Sequence, residues 1–479
     1  MAVLAAVAAV TLAAGAVWWF GLRDSATERL GQGLPSVIKT PALGKVVSTR
    51  DVMGGDFAQT DFVGFFDDNT GLVSGTNEWG AGVLEATARS DGGGAGALVG
   101  VDLTTHREKW RIELAETLGL GSAASISSQA EVAEGLALVQ VRQTLGTGEP
   151  GAAFLVTVDS RGRIVSQRQA AADAELVGLR QDVAVLQDAS RELVGYNPAA
   201  LNEPLWRAPG ASATLALSNA VSGTWWILAR DGFIDARTGT AVGFGADLAE
   251  GGDRAPMYYL AEGSQDVVLR HSLEAGSAFT GGGPGTVVRV DPATGRELWE
   301  KGLAVNDSVL VALVAGDTLV FDYLGAQTEG GVVAANVESG RQLWYAKGEG
   351  LRRGANGVAV TVSHDFQRLT TRDWRSGEEK ASHSLAEAEW LMGVGTKVAY
   401  VADNAGVITG LSLTDGLRRL WTLDTAGVWP DGNWATTWLI ASPSKLFLCT
   451  QSPGVSGDGA GTGSGPADAR QVALVELKR

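Results

Sequence analysis

Four histidines, one cysteine and a few Gly- and Asp-rich runs are the residues of this 479-residue chain that could do chemistry. His106, His271, His364 and His383 stand too far apart for the short spacing with which two imidazoles on one element grip a metal ion. His106 reads instead as a surface turn residue. Cys449, the only cysteine, cannot form an intramolecular disulfide, a Cys-based zinc cluster or a haem attachment, and is expected to be a packed thiol. Phe66-Asp67-Asp68-Asn69-Thr70-Gly71 has the oxygen ligands of a calcium loop but no Glu at the twelfth position, so it reads as a β-turn. Gly92 to Gly94 and Gly281 to Gly283 do not join a strand to a helix, the arrangement that cradles phosphate. Two carboxylates about 5 to 9 Å apart would serve glycan hydrolysis, but spacing does not pair any of the 54 acidic residues. The sequence therefore assigns no catalytic residue, no metal ligand and no cofactor-binding residue.

What spacing does reveal is a repeated phrase: an alternating strand, Asp or Asn, a Thr/Ser-Gly turn, and a second strand carrying Trp. The fullest copy runs from Val287 through Asp291, Thr294 and Gly295 to Trp299. A second leads from Asn336 through Gly340 to Trp344, a third from Asp102 to Trp110 with His106 in the Gly slot, and a fourth from Ser412 through Gly416 to Trp421. Weaker copies sit at Asp159 with Gly162, Asn197 with Trp206, Asp235 with Gly239, and Asp373 with Gly377. The long gaps after Asp102 and Asp235 read as loop insertions. Alternation buries one face of each strand, Gly supplies a positive φ, and the Asp or Asn side chain closes the turn on backbone N–H groups. Trp offers a flat apolar surface to a neighbouring sheet while its indole N–H finds a carbonyl. Each copy is one hairpin that cannot bury both faces alone, so the repeat predicts stacked blades.

The string Val287 to Trp299 and its relatives resemble the repeats of quinoprotein-like (PQQ-like) β-propellers, over roughly residues 60 to 477. The resemblance implies an all-β ring of four-stranded blades, with Trp110, Trp299, Trp344 and Trp421 at the blade-docking position. It covers dehydrogenases, sensor ectodomains and non-enzymatic scaffolds, among them membrane-anchored bacterial members. The alcohol-oxidising members hold PQQ over a calcium ion in the central funnel, use an Asp base, and often stack the quinone on a vicinal disulfide. One cysteine forbids that disulfide, and neither the calcium ligands nor the base can be matched. A PQQ-dependent dehydrogenase acting on an alcohol or sugar is thus the alternative, and a cofactor-free binding scaffold the expectation. Eight blades are expected, within a range of seven to nine. Thr437–Ile440, Lys445–Cys449 and Gln471–Leu477 would form three strands of a last blade, with Lys45–Thr49 as its fourth.

Ala2 to Leu22 carries no charge and is long enough as a helix to cross the roughly 30 Å hydrocarbon core. Trp18, Trp19 and Phe20 suit the membrane interface. The expected organisation is a single-pass signal-anchor over residues 1–22, a linker over 23–44, and a propeller over 45–479 containing a flexible Gly-rich loop at 452–466. The propeller is expected on the extracytoplasmic side of the cell membrane. A formal charge of −16 argues against nucleic acid as a partner, leaving an envelope protein or glycan. Arg outnumbers Lys in an Ala- and Gly-rich chain, a composition typical of GC-rich bacterial genomes.

Overall fold

A computed structural model describes residues 34–478 apart from 54–58, 77–95, 121–124, 134, 145–149, 173, 180–181, 189, 191, 210–212, 220–223, 230–231, 244–256, 262–266, 273–283, 292–293, 295, 306–307, 325–329, 356, 426, 429–436 and 452–471. The segment expected to anchor the chain, the glycine triplets and the Gly-rich loop lie outside the described residues, as does Gly295. Among the described residues no helix is long and apolar enough to cross a membrane.

The described chain forms nine four-stranded antiparallel sheets, eight of them simple meanders taken in sequence order. The first strands of successive sheets meet side by side: Gln59–Phe65, Ser125–Ala133, Glu175–Leu179, Ala213–Asn219, Met257–Leu260, Ser308–Ala315, Glu349–Ala355, Glu389–Val394 and Thr437–Ala441. The ninth sheet is composite. Thr437–Ala441, Leu446–Gln451 and Val472–Lys478 provide three strands, and Ala42–Ser48, from the other end of the sequence, pairs with the third. Val46, Val47 and Ser48 face Val475, Leu474 and Ala473 across that ladder. This closes a ring of the β-propeller kind.

Alternation explains why the sheets stack. The eight apolar clusters each draw on two neighbouring sheets. Leu72, Leu98 and Ile112 of the first meet Val139 and Val156 of the second, and Val360 and Leu369 of the seventh meet Ala399 and Leu411 of the eighth. The core is thus a set of seams between sheets. Burial of roughly 1.5–3 kcal/mol per large apolar side chain is gained only when a neighbour is present.

The expectation of eight blades is corrected to nine, because no window is degenerate. The weak copies at Asp159, Asn197, Asp235 and Asp373 each belong to a complete sheet. A four-stranded sheet needs alternation and turns; Trp is needed only for docking. A second correction concerns the linker. Leu34 and Val37 are 2% exposed and pack into the seam between the eighth and ninth sheets, so the ring begins before residue 45.

A meander places its connections on two faces. Those joining strands one to two and three to four are tight turns, such as 66–69, 103–106, 160–163, 337–341 and 374–378. Those joining strands two to three, and one sheet to the next, include the long spans 77–96, 244–256, 273–283, 425–436 and 452–471. The chain enters Ala42–Ser48 from the tight-turn face.

Candidate functional site

The residues of the repeated phrase gather at the seams, on the tight-turn face. Asp102 Oδ1 accepts the backbone N–H groups of Thr104 and Thr105, both at 2.8 Å. Asp159 accepts those of Arg161 and Arg163 at 2.9 and 3.0 Å, and Asp235 that of Arg237 at 2.8 Å. Asp373 takes Ser376 and Arg375 at 2.9 and 3.1 Å, Asn336 takes Ser339 at 3.0 Å, and Asp291 takes the Thr294 hydroxyl at 2.7 Å. The N–H of Thr105 chiefly holds the Asp102 carboxyl below the usual range, and that of Ser376 does the same for Asp373. These side chains close the turns that carry them.

Each repeat Trp reaches into the next sheet. Trp110 Nε1 donates to the Ser160 carbonyl at 3.0 Å, Trp206 to Ala236 at 3.0 Å, Trp299 to Val337 at 2.7 Å, and Trp344 to Trp374 at 3.0 Å. The acceptor always follows the Asp/Asn slot by one residue. The turn glycine of that next sheet lies against the ring. A Cβ on Gly162, Gly239, Gly340 or Gly377 would come within 2.5 to 2.7 Å of Trp110, Trp206, Trp299 or Trp344. Gly100, Gly195 and Gly410 lie beneath Trp110, Trp206 and Trp421 on the partner strand, with equally close approaches. These strand glycines were missed by the sequence reading, although each falls two residues before its slot.

The glycine is required where the preceding sheet carries a Trp. The outermost strand of the ninth sheet, Ala42–Ser48, has none, and His106 occupies the slot at φ 60° in the first. The outermost strand of the seventh, Glu379–Ser384, has none either, and the eighth-sheet turn places Leu417 at φ 56°, while a Cβ on Gly416 would meet nothing within 4 Å. Trp421 is the exception that proves informative. The sheet after it has no turn between its third and fourth strands, since these belong to opposite ends of the sequence, and Trp421 Nε1 donates instead to the Val37 carbonyl at 2.7 Å.

The Asp67–Asn69 loop forms the turn expected of it and also clasps the ring. Asp67 Oδ1 accepts the Asn69 N–H at 2.7 Å. Asp68 accepts the Ser442 hydroxyl at 2.7 Å, the Ser444 N–H at 2.7 Å and the Ser444 hydroxyl at 2.6 Å, joining the first sheet to the ninth. Burial pushes the Asp68 carboxyl up, and the hydrogen bonds from Ser444 and Ser442 outweigh it, so the group lies below its usual range. Phe65 and Phe447 stack across the same seam at 5.0 Å. Cys449 is buried in the ninth sheet, and burial pushes its thiol well up, away from thiolate chemistry.

No cluster of three His, Cys, Asp or Glu side chains able to hold a metal occurs among the described residues. Among the described residues Glu349 and Arg372 form a largely buried ion pair. Arg372 Nε donates to Glu349 Oε2 at 2.8 Å, and the Thr361 hydroxyl donates to the same oxygen at 2.6 Å. Burial raises the Glu349 carboxyl, and Arg372 with Thr361 brings it below its usual range. Both groups are satisfied, which marks a structural pair.

On the long-connection face the seventh sheet presents a different corner. Phe366, in the turn after Val358–Ser363, is 59% exposed at φ 59°. The Arg352 guanidinium, at the bulge in Glu349–Ala355, lies 5.8 Å over its ring. Aromatic residues and Arg are both among the residue types enriched at protein interfaces.

No protein-family model matches the chain, and no curated protein sequence matches it. Among solved structures it is similar to BamB from Moraxella catarrhalis, 13% identical over 91% of this chain and 100% of that one, with a TM-score of 0.38. It is similar at 9% identity to Sqt1 from Saccharomyces cerevisiae, over 91% and 100%, with a TM-score of 0.38. The quinohemoprotein alcohol dehydrogenase ADHIIG from Pseudomonas putida HK5 is 10% identical over 95% and 78%, with a TM-score of 0.36. At these values the likenesses carry no argument about function, which rests on the chain's own geometry.

Proposed function

We propose that this protein is a binding scaffold of the bacterial cell envelope, a propeller tethered to the membrane through its N-terminal segment with the ring on the extracytoplasmic side. The observation that carries the reading is the polarity of the ring. The chain enters on the tight-turn face, whose Asp, Gly and Trp residues are taken up by turns and seams, while the long connections lie on the opposite face. A tether on one face leaves the other free to meet a partner, and loops held on a rigid base are the usual carriers of recognition. The partner class is an envelope protein or glycan. The scaffold reading needs no cofactor.

The test is photocrosslinking in intact cells with a photoreactive residue at Phe366 on the long-connection face and at Arg375 on the tight-turn face, both exposed. Adducts are expected from position 366 and not from 375. Adducts confined to 375 would reverse the assignment of faces. Oxidation of alcohols or sugars by the purified protein after addition of PQQ and calcium would replace the scaffold reading with the dehydrogenase one.

A further inference from the structure

For Trp110, Trp206, Trp299 and Trp344 the carbonyl that answers the indole belongs to the turn of the following sheet. At the seam between the eighth and ninth sheets no such turn exists, and residues 34–37 fill its place. Leu34 makes a parallel bridge to Gly395 and is buried among Tyr400, Trp421, Leu439 and Leu446. The Thr396 N–H donates to the Leu34 carbonyl at 3.3 Å. Ser36 Oγ accepts the Lys397 N–H at 2.6 Å and lies 3.0 Å from the Thr396 hydroxyl. The buried Tyr400 hydroxyl donates to the Pro35 carbonyl and accepts the Val37 N–H at 3.1 Å, and the Val37 carbonyl takes Trp421 Nε1. Ile38, Lys39 and Thr40 are then exposed before Ala42–Ser48 begins.

This pattern has the makeup of a peptide-binding slot. One apolar pocket takes a Leu side chain, and donors and acceptors read the backbone of Leu34, Pro35 and Val37 and the hydroxyl of Ser36. Pro35 needs no backbone donor satisfied, which suits a position where only its carbonyl is engaged. The hydrogen-bonding groups all come from the eighth sheet and its 395–397 turn, the ninth adds the apolar wall of Leu439 and Leu446, and the strands of both are complete without the segment. We infer that the seam between the eighth and ninth sheets is a recognition slot for an extended Leu-Pro-Ser-Val peptide, occupied in cis by residues 34–37, which thereby strap the ring to whatever lies N-terminal to it. The inference stands whether or not that N-terminal part reaches a membrane.

The experiment uses the full chain with a site-specific protease sequence inserted between Ile38 and Lys39, cut after folding. The N-terminal fragment is expected to stay with the ring through size exclusion. A synthetic peptide of residues 31–38 is expected to displace it at least tenfold more effectively than the same peptide carrying Leu34→Asp. Immediate loss of the fragment on cutting, or equal displacement by the two peptides, overturns the slot. Should cutting unfold the ring, the rate of cutting itself is the measurement: Leu34→Asp in the intact chain is expected to speed it at least tenfold, and an unchanged rate overturns the inference.

Discussion

Replacing Gly377 with alanine separates two reasons for a turn glycine, because Gly416 offers a control with only one of them. Both residues have left-handed backbones, at φ 72° and 58°. An L-residue in that conformation costs about 1–2 kcal/mol, a term the two substitutions share. At Gly416 the new methyl meets nothing within 4 Å, so the cost stops there. At Gly377 it would lie 2.5 Å from Trp344 Cγ and 2.7 Å from Cδ2, and neither atom can move without shifting the indole. Overpacking of this kind costs about 1–3 kcal/mol. Displacing the ring also strains the Trp344 bond to the Trp374 carbonyl, worth about 1 kcal/mol. Gly377→Ala is thus expected to cost about 3–6 kcal/mol and Gly416→Ala about 1–2 kcal/mol, read as the shift in the urea unfolding midpoint. Repeating Gly377→Ala in a Trp344→Ala background completes a double-mutant cycle, and its cost there is expected to fall to that of Gly416→Ala. Equal costs at 377 and 416, or no coupling to Trp344, would refute the claim that the slot glycine exists to admit the preceding sheet's Trp.

Other outcomes follow from the same geometry. His106→Gly, where no Trp presses on the slot, is expected to leave stability unchanged or raise it by up to about 1 kcal/mol, checked by the same denaturation. Asp68→Ala removes three hydrogen bonds between the first and ninth sheets and is expected to speed hydrogen exchange in Leu446–Gln451 and Thr70–Thr76 while leaving the fourth sheet unchanged. Because the carboxyls of Glu349, Asp102 and Asp373 are held low in the folded protein, their contribution is present at neutral pH and above the unfolded range near 4. It is lost as pH falls through the depressed folded values, and Glu349→Gln is expected to flatten part of that acid limb in a thermal-melt series. Cys449, buried with its thiol pushed up, is expected to react with a maleimide only at the rate of unfolding, measured by mass shift over time.

The sheets themselves were legible because alternation and turn chemistry are local. Val287 to Trp299 declares two strands and a turn from a few side chains, and the residues around Thr437, Leu446, Val472 and Val47 declare the composite ninth sheet. The eight slots and the terminal candidate count to nine in the sequence; the expectation of eight came from the commoner ring size among the proteins the repeat resembles, and nine complete sheets overturn it. The candidate interface was not legible. Phe366 reads in sequence as an ordinary apolar residue after His364 and Asp365, and Arg352 as one of two adjacent arginines; only folding puts one over the other.

By itself the sequence determined that the chain is a series of β-hairpins with Asp-closed turns, since those properties depend on residues within one turn of each other. Tertiary structure alone decided which Trp is answered by which Gly, because the partner lies in the next sheet and only stacking brings the two within a methyl's width. It also decided that Leu34 to Val37 is part of the ring: four residues with no local periodicity acquire a place only where the folded eighth sheet presents an indole and a tyrosine hydroxyl to their backbone groups.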